Sequence, residues 1–291
     1  MQALPTTLCY LNGAYTPLNE AKISVLDRGF IFGDGIYDVV PVYDRKLFRL
    51  DHHLARLDRS LASLRIANPH TREEWIERCR KLIADQPSGD QMVYIQVSRG
   101  VAVRDHVMTP DISPTVFMMA TPMKAISEAQ LSEGVRCISA EDFRWERADI
   151  KSTSLLGNVL ARQMSADVGA TETILFRNGL LTEASSSNVW VVRDGTVYGA
   201  PKSVHVLEGI RYDLLAELCA VEGIAFVLRP IGEADVRAAD ELILSSASKE
   251  VLPVTQLDGK PIGHGDQAGR PGPVFQRLHA AYQRAKVEQS V

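Results

Sequence analysis

Nine lysines occur in this 291-residue chain, and one differs from the rest in its surroundings. Eight sit in polar settings such as Gly259-Lys260. Lys151 follows Trp145-Glu146-Arg147-Ala148-Asp149-Ile150 and precedes Ser152-Thr153-Ser154, just before a predicted helix. A lysine at such a strand-to-helix transition, beside hydroxyls and aromatics, can be held rigid and partly dry. Desolvation disfavours the ammonium and frees the amine as a nucleophile. The ordinary reading of a lysine there is a solvated charge. Glu183 is the second candidate, in Leu181-Thr182-Glu183-Ala184-Ser185-Ser186-Ser187-Asn188. It leads into the apolar run Val189–Val192, which predicts a place at a buried strand mouth. A buried carboxylate needs a cationic or N–H partner; a protonated ring nitrogen would satisfy it. The third candidate is the pair in Arg104-Asp105-His106. In an extended segment residues two apart face the same side, so Arg104 and His106 can converge on one anion. A guanidinium beside an imidazole suits a carboxylate. The bland reading is a solvated loop carrying a weak charge pair.

Other chemistries lack their residues. Seven histidines are present, yet none falls in a zinc-ligand spacing with another histidine or a cysteine, and no metal is expected. His52 and His53 are adjacent, so their rings point to different faces of a helix, and a surface or capping role is expected. No phosphate-loop or dinucleotide fingerprint occurs; Gly33-Asp34-Gly35 reads as a glycine-rich turn only. Ser185-Ser186-Ser187 lacks the glycine frame of a hydrolase elbow. With 32 basic and 36 acidic residues the net charge is −4, and no polybasic block stands out, so neither a nucleic-acid nor an anionic-membrane partner is implied. No run approaches the roughly 18 apolar residues of a membrane span. The N-terminus lacks the pattern of a secretion signal. Four scattered cysteines without a C-x-x-C pair read as reduced thiols, and the expected location is cytoplasmic.

The elements that must position these residues follow from pattern. Asn12-Gly13 predicts a hairpin joining strands at Leu8–Leu11 and Ala14–Thr16. Asp44-Arg45 turns between Val39–Tyr43 and Lys46–Arg49. Leu54, Leu57, Leu61 and Leu64 give a helical period over Leu50–Leu64, with Asp51 as the expected N-cap. Thr71 with Glu74 predicts a capping box and a second helix. Strands are expected at Met92–Ser98 and Thr115–Met119. The polar stretch from Thr121 to Glu128 is read as a linker, giving domains at 1–121 and 135–291 with 122–134 joining them. Beyond it, strands are expected at Val135–Ala140, Thr173–Arg177, Asn188–Arg193, Val197-Tyr198, Ala225–Leu228 and Glu241–Leu244. Helices are expected at Leu155–Val168, at Ile210–Glu222 ending on Gly223, and at Val274–Val287. Strands and helices do not alternate strictly, which indicates α+β and not a doubly wound parallel sheet.

Six segments, in order and over nearly the whole chain, resemble the fold-type IV pyridoxal-phosphate aminotransferases, and within them the bacterial D-amino acid transaminases. They are Asp27 through Asp38, His53-Leu54-Ala55-Arg56-Leu57, Ser98-Arg99-Gly100, Asp149-Ile150-Lys151-Ser152, Thr182 through Asn188, and Glu241 through Ser246. The resemblance implies a small N-terminal α+β domain, a larger C-terminal pseudo-barrel, the cofactor pyridoxal 5'-phosphate in the cleft between them, and a homodimer. Lys151 matches the family's Schiff-base and proton-shuttling lysine. Glu183 matches the carboxylate on the pyridine nitrogen, and Arg56 the helix arginine on the cofactor phosphate. Tyr37 resembles the tyrosine facing the active site, and Leu207 the apolar residue behind the ring. Phosphate contacts fall on Ile210 and Arg211 and on Ser246 and Ala247. Two departures stand there. The family often has Ile-Thr where Ile210-Arg211 stands, and its later phosphate threonine falls on Ala247. A backbone N–H cradle survives the first change, because it does not depend on side chains.

The resemblance also places Arg104 and His106 on the family's substrate-carboxylate trap, contributed by the neighbouring subunit and completed by Tyr37. It implies ping-pong transamination of D-amino acids, with D-alanine and 2-oxoglutarate as the expected pair and amino acids and 2-oxo acids as the substrates. A branched-chain L-amino acid transaminase or an aminodeoxychorismate lyase of the same fold is the alternative. A non-catalytic dimeric binding protein is a third reading, which the joint presence of Lys151 and Glu183 disfavours.

Overall fold

Asn12-Gly13 closes a hairpin of β1 (Leu8–Leu11) and β2 (Ala14–Pro17). This hairpin begins a computed structural model that describes residues 5–291. A short helix, α1 (Arg28–Phe32), is capped by the Asp27 side chain and runs into the long strand β3 (Gly35–Tyr43). Asp44-Arg45 then turns the chain into β4 (Lys46–Leu47). Two helices, α2 (Leu50–Ser63) and α3 (Arg72–Asp85), precede β5 (Gln91–Ser98) and β6 (Thr115–Pro122). These strands form one six-stranded antiparallel sheet in the order β2-β1-β6-β5-β3-β4. Side chains alternate across β3. Ile36, Val40 and Val42 join Leu54, Leu57 and Leu61 of α2 and Trp75, Cys79 and Leu82 of α3 in one buried cluster. At about 25 cal/mol per Å² of apolar surface, burial of this kind is the main force holding the helices to the sheet.

The second unit opens with α4 (Glu128–Ser132) and β7 (Val135–Glu141). After α5 (Leu156–Asp167) come β8 (Glu172–Arg177), β9 (Leu180–Ala184), β10 (Asn188–Arg193) and β11 (Thr196–Gly199). Then follow α6 (Ile210–Val221), β12 (Phe226–Leu228), α7 (Glu233–Arg237), β13 (Glu241–Ser246), β14 (Glu250–Leu257), β15 (Lys260–Pro261) and α8 (Pro273–Glu288). The sheet is mixed. Its order is β12-β11-β10-β13-β14-β7-β8-β9, with β15 on β14. The apolar strands β8, β10, β13 and β14 supply its core, through Ile174, Val189, Val191, Leu242, Leu244, Leu252 and Val254. The first unit takes in the chain to Lys124 together with Ile150–Leu155 and Val287–Val291. The second comprises Ala125–Asp149 and Leu156–Lys286.

Several local expectations change. Asp51 is not the N-cap of α2. Arg49 takes that place with φ 52, and no side chain bonds there. Asp51 sits in the first turn, favourable to the helix dipole, and pairs with Arg72. The polar stretch near 127 contains a short helix, because Ser127 and Gln130 form a reciprocal capping box. The hydroxyl and amide signals of a linker and of a helix start are the same residues. His52 is exposed, but His53 is buried at 2% and is no surface residue.

Candidate active site

Strand β3 fixes two groups on opposite faces. On one face Tyr37 stacks on Tyr94, with ring centroids 5.7 Å apart. The segment carrying Lys151 lies against this end of β3. Tyr37 N donates to Lys151 O at 2.9 Å, Thr153 N donates to Gly35 O at 2.9 Å, and Ile36 bridges Ser152. Lys151 therefore lies in an extended segment, and α5 begins only at Leu156. Its Nζ stands 4.1 Å from the centroid of the Tyr37 ring. Such a contact orients the amine without consuming it in an ion pair. Gly33 ends α1 with φ +67, and a Cβ there would lie 2.7 Å from Ser154 Oγ. The glycine turn is thus a packing device for the lysine segment and not a phosphate loop.

On the other face of β3, Asp38 points under α2. Arg56 Nε and Nη2 each donate to its carboxylate at 2.8 Å, and His53 Nδ1 lies 2.7 Å from Oδ1. Burial pushes the Asp38 carboxyl up, but Arg56 and His53 outweigh it and hold the group far below the usual carboxylate range. One turn of α2 brings His53 and Arg56 to the same carboxylate. No sequence signal singled out Asp38; its acidic type at a core-facing strand position was the available hint.

Arg104 and His106 lie on an exposed loop after β5, and both meet Phe32. The guanidinium carbon of Arg104 is 5.4 Å from the ring centroid, and the His106 ring is 5.3 Å away. The two side chains thus share one aromatic ring as a common contact.

In the second unit Glu183 stands on β9, buried with only 6% exposed. It forms an ion pair with Arg144, and Leu207 N donates to its Oε2 at 3.0 Å. Arg144 in turn grips Asp142 with Nε and Nη2, both at 2.9 Å, and Thr182 Oγ1 donates to Asp142 at 2.9 Å. Burial raises the Asp142 carboxyl and Arg144 lowers it more, so it is held below its ordinary value. The partner demanded by a buried glutamate is thus present within the chain, and Arg144 and Asp142 are site residues that the sequence reading missed. The serine run at 185–187 also has a structural role. Ser185, Ser186 (2.5 Å) and Ser187 (2.8 Å) all donate to the buried Glu172, which Lys249 Nζ meets at 2.7 Å. The serines are a carboxylate clamp, and Lys249 is a half-buried lysine paired with a buried carboxylate.

Helix α6 starts at Ile210 behind Gly209, with no side chain capping it. Arg211 is buried at 3% and its Nε donates to Ser246 O at 3.1 Å. It thereby ties the helix start to the 247–249 turn, where Lys249 N donates to Ser246 Oγ at 3.1 Å. Helix starts and tight turns present N–H groups that suit a phosphate. Asn188 Nδ2 donates to Leu207 O at 3.2 Å, holding that residue beside Glu183. An acceptor for a ring N–H, an uncapped helix start and an oriented amine are the groups pyridoxal 5'-phosphate needs, so the residues present fit it.

The sequence profile of the amino-transferase class IV family matches residues 35–257. A D-alanine aminotransferase of Staphylococcus haemolyticus is 37% identical over 279 residues, covering 96% of this chain and 97% of that protein. A D-alanine aminotransferase of Bacillus licheniformis is 35% identical over 274 residues, covering 94% and 95%. Among solved structures, a branched-chain amino acid aminotransferase of T.th. with pyridoxamine 5'-phosphate superposes with a TM-score of 0.91 at 26% identity, covering 99% of this chain and 96% of that one. The chain belongs to the class IV aminotransferases. It is a pyridoxal 5'-phosphate-dependent transaminase of fold type IV, a two-domain α+β protein.

Proposed function

We propose that this class IV aminotransferase moves the amino group of D-amino acids to 2-oxo acids, with D-alanine and 2-oxoglutarate as its pair, by a ping-pong cycle. The observation that carries the reading is the convergence of Arg104 and His106 on Phe32. An exposed guanidinium beside an imidazole suits a substrate α-carboxylate. The likeness to two D-alanine aminotransferases over almost the whole chain supports it.

Pyridoxal 5'-phosphate, when bound, supplies an electron sink that stabilises negative charge at the substrate Cα. The residues of this chain do the rest. Lys151 Nζ would hold the cofactor covalently and, once the substrate amine has taken its place and freed it, would carry the proton to and from Cα. Glu183 accepts the ring N–H, and Arg144 with the Leu207 N–H fixes the carboxylate for that contact. Leu207 backs the ring. The backbone at Ile210 and Arg211, the turn at Ser246 and Ala247, and Arg56 hold the phosphate. Asp38 occupies Nε and Nη2 of Arg56 and presents its Nη1 edge. Tyr37, Arg104 and His106 bind substrate. The active unit is a homodimer in the cytoplasm, each site completed by the neighbouring subunit's trap.

Two measurements test this. Borohydride reduction of the holoenzyme and peptide mapping should place the label on Lys151, and Lys151→Ala should abolish turnover by orders of magnitude. Label on another lysine overturns the assignment. Half-reaction spectra with D-alanine, D-glutamate, L-alanine, L-glutamate and L-leucine should respond to the D-enantiomers. The branched-chain structures of like fold keep a second reading open. Robust response to L-leucine with none to any D-amino acid would establish it instead.

A further inference from the structure

The loop over 101–113 leaves and rejoins the first unit at a single stem. Gly100 has φ +112, and a Cβ there would lie 2.1 Å from Ser113 O. Only glycine permits that backbone contact. The stem is bonded to the α1 region, with Arg28 N donating to Gly100 O at 2.9 Å, Ala102 N to Leu26 O at 3.3 Å, and Asp27 bridging Val101. The tip is held as well. Arg28 Nη1 donates to Asp105 O at 2.5 Å, the carbonyl that lies between Arg104 and His106. Arg28 is itself held in place: it is only 3% exposed, and its Nε donates to Asp34 Oδ2 at 2.7 Å. Asp34 is gripped from its other side by Arg99, through Nε at 2.8 Å and Nη2 at 3.0 Å. Phe32, at the end of α1, is the common surface. Arg28 lies 4.9 Å from its centroid, Arg104 5.4 Å and the His106 ring 5.3 Å.

We propose that Arg28 and Phe32 are positioning residues that pre-set the carboxylate trap. They hold Arg104 and His106 in their anion-binding arrangement before substrate arrives. The inference rests on reading Arg104 and His106 as the trap. Arg28 and Arg99 both donate to the Asp34 carboxylate, whereas Arg104 stacks on the ring with its guanidinium exposed. The Asp105 carboxylate is turned to Val107 N, 3.0 Å away. An exposed arginine free to sample its rotamers must be ordered on binding, which costs affinity. Stacking it beforehand on a fixed aromatic face removes that cost.

The test uses the holoenzyme with an amino acid donor and with acetate as a non-reacting carboxylate. Acetate affinity is read from the cofactor absorbance. Phe32→Leu keeps an apolar side chain and removes the ring. It should raise the Michaelis constant about threefold to tenfold, with kcat within about twofold and acetate affinity falling by the same factor. Phe32→Tyr restores the ring and should behave as wild type. Arg28→Lys cannot span Asp34 and the Asp105 carbonyl together, and should act like Phe32→Leu. In an Arg104→Ala background Phe32→Leu should raise the Michaelis constant by a smaller factor than it does alone, because only its effect through His106 remains. An unchanged Michaelis constant in Phe32→Leu, beside a raised one in Arg104→Ala, overturns the positioning role alone. An equal further rise in the Arg104→Ala background overturns it too. A neutral Arg104→Ala overturns both the trap and its positioning.

Discussion

At the scale of single residues, the buried pair of Asp38 and Arg56 limits what the phosphate contact proposed for Arg56 can be. Asp38 is 1% exposed and carries a bidentate arginine and a histidine. Its folded-state pKa is depressed below the ordinary carboxylate value near 3.9, chiefly by Arg56 against the opposing effect of burial. A depressed carboxyl contributes stability above its unfolded pKa and loses it as pH falls toward the folded one. Thermal stability should therefore decline as pH drops below about 4. Asp38→Asn leaves a buried guanidinium uncompensated and should cost about 3–5 kcal/mol at pH 7. The acid-side loss should be smaller in that variant. Denaturant unfolding at several pH values checks both, and a fully stable Asp38→Asn would remove the brace. Lys151 and Glu183 stood out in the sequence by their neighbourhoods, whereas Arg56 was singled out only through the family resemblance; their roles are those proposed above. Asp38, Arg144 and Asp142 did not stand out. Their meaning comes from partners 18 and 39 residues away in the chain, such as Arg56 and Glu183. Nothing local marks an acid or an arginine as half of a pair.

Elements were readable where the signal was periodic or capped. The capping box of Thr71 and Glu74 and the helix ending on Gly223 (φ 63) stand as the residues indicate. The strand β9 was not read as one, because Leu180–Ala184 is short and its polar members Thr182 and Glu183 are satisfied only by residues on other elements. β14 begins with Glu250 at φ 50 and contains Pro253, both weak strand signals. α1 has five residues and no period to detect. Its position matters through its end. A side chain at Gly33 would force a left-handed backbone onto an alanine and press on Ser154. Gly33→Ala should destabilise the protein by about 1–2 kcal/mol from the backbone alone. It should also slow turnover, since Thr153 Oγ1 bonds Gly33 O at 2.9 Å and carries the Lys151 segment with it. Pairing the change with Ser154→Ala should recover part of the rate and little of the stability. Thermal unfolding and the single-turnover rate separate the two, and a variant with wild-type values in both would show that the turn does not position the lysine.

For the whole molecule, the exposed apolar side chains of the first unit bear on assembly. Val25 (73%), Phe30 (67%) and Val103 (83%) lie on two segments joined by the Asp27–Val101 bridge, and Leu26 and Val107 belong to the same segments. Exposed apolar side chains on two adjoining segments form a candidate association surface. The loop that bears Arg104 and His106 is part of it, which fits a trap delivered to a neighbouring copy in the proposed homodimer. Isologous association makes the two sites equivalent, so each subunit both gives and receives a loop. This arrangement has a consequence that a self-contained site lacks. A chain with Lys151→Ala has an intact loop and no nucleophile; a chain with Arg104→Ala has the nucleophile and a damaged loop. Each homodimer is poor at low substrate, one for want of turnover and the other for want of affinity. Unfolding and refolding them together makes heterodimers in about half of the dimers. Each heterodimer contains one site with Lys151 from one chain and Arg104 from the other, both intact. Activity at low D-alanine should therefore rise to about a quarter of the wild-type value per dimer, half of the dimers each having one good site of two. If each chain instead supplied its own trap, no combination could rebuild a site. The mixture would then show no more than the average of the two parents, and that result would end the shared-site reading.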